Sequence, residues 1–175
     1  LGTIQAVSHI GALAEAGGIP FYVDAETAAG WLPIDIRAIR ASLLSFSPHR
    51  FYGPKGVGVL YRSGRVPLTP LLHGGEQESG LRAGVENIAA IAGAGTAAEL
   101  AHQGPDTGRL GVLQQDLWRR IEETIPDVRL NGPVPDGGKR RMTNSLNISF
   151  AGTEGEGVAL AADLRGLVIA SGPAC

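Results

Sequence analysis

The sequence has few of the residues that several kinds of protein depend on. It contains one cysteine, which excludes an internal disulfide and a zinc site built from several cysteines. No apolar run reaches the roughly 18 residues that a membrane helix needs, and no signal-peptide pattern opens the chain. Only two of its 15 basic residues are lysines, Lys55 and Lys139. Chemistry that requires a lysine amine therefore has two candidates.

Charge is also sparse. Charged residues make up 18% of the chain, and the net charge is −2. Nucleic-acid binders usually carry a basic stripe, whereas the only basic run here is 139–141. We therefore expect a cytoplasmic protein with no direct contact to nucleic acid or to a membrane. Apolar residues make up 43% of the 175 residues, which is enough for a sizeable core.

Short apolar runs alternate with helical patterns, which predicts an α/β fold. Strands are predicted over 19–23, 43–46, 56–61, 127–131, 145–150 and 167–170. Helices are predicted over 8–16, 85–101, 107–125 and 154–164, and the stretch 34–41 is predicted as a short helix or loop. The break at Gly104-Pro105 predicts two domains. Residues 1–104 would supply parallel strands and helices, and residues 105–175 a smaller α/β unit.

Polar side chains follow two of the predicted strands. Asp24 ends the first, and Ser47-Pro48-His49-Arg50 follows the second. Ligands of open α/β sheets bind outside the carboxyl ends of strands. A carboxylate there can pair with a protonated pyridine nitrogen, and the second group can hold a phosphate. A turn or capping aspartate and a solvated loop are the alternatives.

Three further segments have open interpretations. The stretch 53–56 resembles a phosphate loop but lacks the Walker A spacing, so a tight turn is the better prediction. The polar, glycine-rich stretch 73–84 precedes a predicted helix, which is typical of an anion site or of a flexible loop. Cys175 ends the chain in a small-residue segment. It is either a buried apolar residue or an exposed nucleophilic thiolate.

Six ordered segments together resemble the cysteine desulfurases, which are class V members of the fold-type I pyridoxal-phosphate enzymes. They are LGTIQ, FYVDAETAAG, LLSFSPHRFYGPKGVGVLY, HGGEQESGLRAGVENIAAIAG, TNSLNISFAGTEGEG and LRGLVIASGPAC. They span nearly the whole chain. The resemblance implies the C-terminal part of a large domain with a mostly parallel sheet over 1–104. It also implies part of a small α/β domain over 105–175, ending at the loop of the catalytic cysteine.

The resemblance also implies an activity. The family uses pyridoxal 5'-phosphate to remove sulfur from L-cysteine, which leaves L-alanine and an enzyme persulfide. The sulfur serves iron–sulfur cluster assembly or tRNA thiolation. The expected partners are L-cysteine as substrate, sulfur-acceptor or scaffold proteins, and a second copy of the chain in a homodimer.

Four residues match positions that the family uses. By resemblance, Asp24 pairs with the pyridine nitrogen of the cofactor. Ser47 and His49 match the phosphate-binding pair of the Ser-x-His-Lys motif. Cys175 in SGPAC matches the persulfide cysteine of SGSAC.

Three positions depart from the family. Arg50 stands at the position of the Schiff-base lysine, and a guanidinium stays protonated and cannot form the imine. Thr27 stands where a glutamine contacts the cofactor. Val85 stands at the position of the threonine that reaches the phosphate across the dimer. Lys55 could in principle supply the missing amine.

Two hypotheses follow. The protein is a cysteine desulfurase, or a portion of one, as the six segments indicate. Alternatively, it is a catalytically inert relative that binds a cofactor or a partner, as the changes at Thr27, Arg50 and Val85 indicate. On either hypothesis we expect no turnover by the chain as it stands.

Overall fold

A computed structural model describes residues 1–64 and 66–172. The chain divides into two compact units, one formed by Ala6–Pro105 and the other by Leu1–Gln5 with the chain from Asp106 onward. The sequence-based division placed the first five residues in the first domain. In the structure they pack with the second unit, because Ile4 donates a backbone hydrogen bond to the Arg140 carbonyl and Met142 donates one to Gly2, both at 2.8 Å.

Within the described residues, the first unit contains a three-stranded sheet, three α-helices and one single-turn 3₁₀ helix. In chain order its helices and strands are α1 (Val7–Ala16), β1 (Tyr22–Asp24), α2 (Ile36–Ile39), β2 (Leu43–Phe46), β3 (Val59–Arg62) and α3 (Ile88–His102). The 3₁₀ turn is Pro48–Phe51, whereas Gln77–Gly80 is a turn in which Glu78 and Ser79 have left-handed backbones.

The sheet is mixed. Its order is β1-β2-β3, with β1 parallel to β2 and β2 antiparallel to β3. The sequence pattern predicted parallel strands here. The connection from β2 to β3 carries only the turn at 48–51 and brings the chain straight back along β2, whereas a parallel pair needs a longer crossover. The β1–β2 pair is the one whose carboxyl ends coincide.

Two small buried clusters support this sheet. The first packs Val23 and Leu44 of neighbouring strands with the α2 residue Ile39. The second packs Phe51 of the 3₁₀ turn against Ala29, which follows β1, and Ala97 of α3. The turn after β1, the 3₁₀ turn after β2 and α3 therefore form one packed block.

The second unit has a long helix, a two-stranded antiparallel sheet and a short helix. They are α4 (Thr107–Thr124), β4 (Val128–Leu130), β5 (Ile148–Phe150) and α5 (Gly155–Asp163). Asp106 begins α4 by accepting a hydrogen bond from the Arg109 N–H at 2.8 Å, which is ordinary N-capping.

Several element boundaries differ from the sequence predictions. The strand predicted over 167–170 is absent from the described part of this unit. Gly166 adopts φ +77°, and the Leu167 N–H donates to the Ala162 carbonyl, so this segment terminates α5. The backbone of Asp127 is left-handed, at φ +54°, which keeps it out of β4. Among the described residues, no helix has both the length and the apolar character that crossing a membrane requires.

Candidate functional site

The carboxyl ends of β1 and β2 meet at one edge of the sheet because these strands are parallel. Asp24 lies opposite Ser45 in the register, and Ser47 follows the last residue of β2. The structure thus brings the two predicted polar groups to one edge. We call it the β1/β2 edge and define it by Asp24, Glu26, Thr27, Ser47, His49 and Arg50.

Asp24 is exposed and holds the turn that follows its strand. Its Oδ1 accepts a hydrogen bond from the Glu26 N–H at 2.9 Å. The buried Ala25 between them donates its N–H to the Ser45 carbonyl at 2.8 Å. The structure therefore shows the turn role of Asp24. A role toward a cofactor stays a prediction, as it does for the exposed Thr27 on the same turn.

A single 3₁₀ turn fixes the second half of the edge. Pro48 and Phe51 are buried, whereas His49 and Arg50 between them are exposed. Ser47 precedes the turn and is half-buried. The turn is therefore anchored by its first and last residues and presents the imidazole and the guanidinium outward.

Arg50 is held by a carboxylate of the neighbouring turn. Its Nε donates to Glu26 Oε1 at 3.1 Å. The two side chains retain 42% and 37% of their exposure, so this is a surface ion pair rather than a buried one. The position expected to carry a reactive amine thus carries a paired, permanently charged group.

Two contacts of this edge were not predicted from the sequence. One is the partnership of Glu26 with Arg50. The signal that could have revealed it is an acidic residue two positions after Asp24 together with a basic residue shortly after β2. The other joins the Tyr22 hydroxyl to Ser45 Oγ at 2.6 Å, and it becomes visible only with the strand register.

Val85 lies in a separate loop that precedes α3 and is 94% exposed. The predicted helix began at Val85, but α3 begins at Ile88, because the Asn87 side chain caps it by accepting from the Ala90 N–H at 3.1 Å. This cap engages an N–H that the predicted anion site would use. Among the described residues, no hydrogen bond joins the stretch 73–85 to the β1/β2 edge.

Lys55 and Cys175 complete the predicted set. Lys55 is exposed in the turn before β3, where a side chain at Gly53 would lie 2.7 Å from Pro48 Cβ and the ring of Pro54 packs on Gly93 of α3. The stretch 53–56 is therefore a packed turn, as expected. Cys175 lies outside the described residues.

Two apolar grooves of the first unit lie along α3. Their volumes are about 530 and 720 Å³, and their linings include Trp31 with Tyr52 in one and Leu60 with Ile91 in the other. Neither is lined by any residue of the β1/β2 edge. In the described chain, the edge exposes the side chains of Asp24, Thr27, His49 and Arg50.

The edge fits pyridoxal phosphate in part. An exposed carboxylate at the end of β1 suits the ring nitrogen, and a hydroxyl with an imidazole after β2 suits a phosphate. Arg50 does not fit the covalent attachment, since it cannot lose its proton and is already bound to Glu26. The residues present therefore do not match the cofactor in its covalently bound form.

Related proteins match this chain over its whole length. Residues 1–175 match the family model for aminotransferase class V. The chain is 44% identical to cysteine desulfurase IscS of Clostridium botulinum over 177 aligned residues, which cover 100% of this chain and 44% of that protein. It is 41% identical to cysteine desulfurase IscS of Dictyoglomus turgidum, with the same coverage. The chain thus spans less than half the length of these relatives.

Solved structures give the same fold. A NifS-like protein from Rickettsia africae superposes with a TM-score of 0.88 at 27% identity, covering 98% of this chain and 47% of that one. The apo cysteine desulfurase of Thermococcus onnurineus superposes with a TM-score of 0.79 at 24% identity, over 98% of this chain and 47% of that one. The second likeness concerns the fold alone.

Proposed function

The chain belongs to the class V aminotransferase family and has its pyridoxal-phosphate-dependent fold type I, and from this premise we propose that the protein is of the cysteine desulfurase type. Enzymes of that type convert L-cysteine to L-alanine and leave a persulfide on a cysteine, and Cys175 is the proposed counterpart of that cysteine. The observation that carries the proposal is the 44% identity to a cysteine desulfurase across the whole chain.

The proposed roles follow the geometry of the edge. Asp24 would pair with the ring nitrogen of pyridoxal 5'-phosphate, and Ser47 with His49 would bind its phosphate. Their position at the shared carboxyl end of two parallel strands supports this assignment. The cofactor, when bound, supplies the electron-withdrawing ring of the reaction. Thr27 would stand beside it, and Val85 would face the cofactor of the partner subunit, each without the group that the family uses there.

The proposal includes a loss of turnover. Arg50 stands in place of the Schiff-base lysine and is engaged by Glu26. A guanidinium can hold an anion but cannot form the imine. The chain as it stands would therefore lack the covalent step of its family.

The second candidate function is a catalytically inert scaffold that binds a cofactor or a partner. The Glu26–Arg50 pair favours it, because an acidic residue at that place accommodates the arginine that abolishes the imine. Thr27 and Val85 point the same way.

Partners and setting follow from the family. We propose a homodimer that delivers sulfur to acceptor or scaffold proteins for iron–sulfur cluster assembly or tRNA thiolation. We place it in the cytoplasm, without direct nucleic-acid or membrane contact. These assignments rest on the relatives, since the chain covers 44% of their length.

One substitution in the full-length protein separates the two candidates. Arg50→Lys restores an amine, so a desulfurase should regain alanine production from L-cysteine in the presence of pyridoxal phosphate. Arg50→Gln is the matched control, because it removes the guanidinium without adding an amine. If a folded Arg50→Lys protein still produces no alanine, the desulfurase hypothesis is rejected and the scaffold is favoured.

A further inference from the structure

Glu26 and Arg50 are each adjacent in sequence to a buried residue, which fixes the backbone at both positions. Ala25, next to Glu26, is 4% exposed, and Phe51, next to Arg50, is 5% exposed. Gly30 closes the same turn, where a side chain would lie 2.7 Å from Phe51 Cγ. The 3.1 Å contact from Nε to Oε1 therefore joins two positions whose backbones are fixed by packing.

This anchoring leaves the outer nitrogens of Arg50 available for a ligand. Among the described residues, the bond to Glu26 is the only hydrogen bond of the guanidinium. With Nε engaged, the planar group is oriented while its terminal N–H groups remain donors. His49 lies on the same 3₁₀ turn, and Ser47 directly precedes that turn. Hydroxyl, imidazole and guanidinium groups together suit an oxyanion such as a phosphate.

The edge offers no lysine amine of its own. The chain has two lysines, Lys55 and Lys139. Lys139 belongs to the second unit, in the loop held by Asp136. Lys55 follows the packed Gly53-Pro54 turn and lies exposed before β3. A ligand at the β1/β2 edge would therefore be held by charge and hydrogen bonds.

We propose that the β1/β2 edge binds phosphorylated pyridines of the vitamin B6 class without a covalent bond, and that it takes the aldehyde and the alcohol forms alike. The identity of the ring rests on the proposed function. The indifference to the aldehyde follows from Arg50 and Glu26, because a guanidinium gains nothing from a carbonyl carbon that it cannot attack.

Calorimetric titration of the full-length protein tests this with three probes: pyridoxal 5'-phosphate, pyridoxine 5'-phosphate and unphosphorylated pyridoxal. We expect the two phosphates to bind within a factor of about three of each other, and pyridoxal to bind more than about tenfold more weakly. Borohydride reduction followed by intact-mass measurement should show no adduct. The Arg50→Lys variant should instead prefer the aldehyde by more than about tenfold and carry an adduct at residue 50.

Other outcomes overturn the proposal in distinguishable ways. A strong aldehyde preference with an adduct that disappears in Lys55→Arg would show that Lys55 has replaced the missing amine. Equal binding of pyridoxal would show that the phosphate is not recognised. If the unsubstituted protein binds no probe but Arg50→Lys binds pyridoxal phosphate covalently, this proposal fails while the proposed function stands. If neither binds, both fail.

Discussion

Two arginines of this chain lie in opposite settings. At the β1/β2 edge, Arg50 is exposed and meets the carboxylate of Glu26. In the second unit, Arg141 is 0% exposed. Its guanidinium donates to backbone carbonyls, among them those of Leu1 at 2.8 Å and of Pro133 and Asn131. Arg50 is therefore a solvated surface cation, whereas Arg141 is a buried cation whose hydrogen bonds join several backbone segments.

The two settings predict different costs of substitution to the stability of the fold. Burial lowers the pKa of the Arg141 guanidinium, with the charge of Asp136 acting in the opposite direction. Its carbonyl partners lie in segments far apart in sequence, so its loss would release all of them together. An exposed pair such as Glu26–Arg50 contributes at most about 1 kcal/mol. A substitution at a position of that kind therefore costs little folding free energy.

The largest effect is expected at Arg141. Arg141→Met should lower the free energy of unfolding by about 3 kcal/mol or more, because buried carbonyls lose their donors. Urea unfolding of the full-length protein measures it. Arg129→Met is the control, because Arg129 is an exposed residue of β4 in the same unit, and we expect a change within about 0.5 kcal/mol. Equal effects of the two substitutions would remove the contrast between buried and exposed arginines.

The support of the edge is the next test. Gly30 adopts φ +79°, and a side chain there would meet Phe51. We expect Gly30→Ala to cost about 2 kcal/mol, of which about 1 kcal/mol is backbone strain and the rest overpacking. Gly18→Ala isolates the backbone part, since Gly18 has φ +64° and nothing within 4 Å of the added Cβ. Matching losses in thermal unfolding would mean that the edge is loosely supported.

The third prediction concerns the pH dependence of stability that arises from Asp136, in the loop that precedes Arg141. Hydrogen bonds from the Arg140 backbone and side chain lower its pKa from 3.8 to about 2. Since the folded value is depressed, its stabilising contribution is present above pH 3.8 and is lost as the pH falls toward about 2.

The measurement for Asp136 is the unfolding free energy as a function of pH. The unsubstituted protein should be more stable than Asp136→Asn at about pH 5, and the difference should shrink across this acid window. Comparing the two proteins cancels the titration of the other carboxylates. A difference that stays constant with pH would show that the charge of Asp136 contributes nothing.

Local sequence patterns predicted the elements better than their partnerships. Residues 43–46 form β2 as predicted, because an apolar run between turn signals needs no distant information. The prediction for 167–170 failed because Leu167 completes the end of α5. That Asp24 and Ser47 lie at the same end of the sheet was predicted, because each follows an apolar run that forms a strand. The ion pair of Glu26 with Arg50 was not, because it depends on the register and on how Phe51 packs.

The smallest predicted effect concerns the pair itself. Glu26→Gln keeps the shape and removes the charge, so we expect the unfolding free energy to change by less than about 1 kcal/mol, since both side chains are about 40% exposed. A double-mutant cycle of Glu26→Gln with Arg50→Gln in urea isolates the coupling. A coupling above about 2 kcal/mol would show that the exposed Glu26–Arg50 pair stabilises the fold as a buried ion pair does. The arginine at position 50 would then be an integral part of the fold. Arg50→Lys would then destabilise the β1/β2 edge as well as add an amine to it.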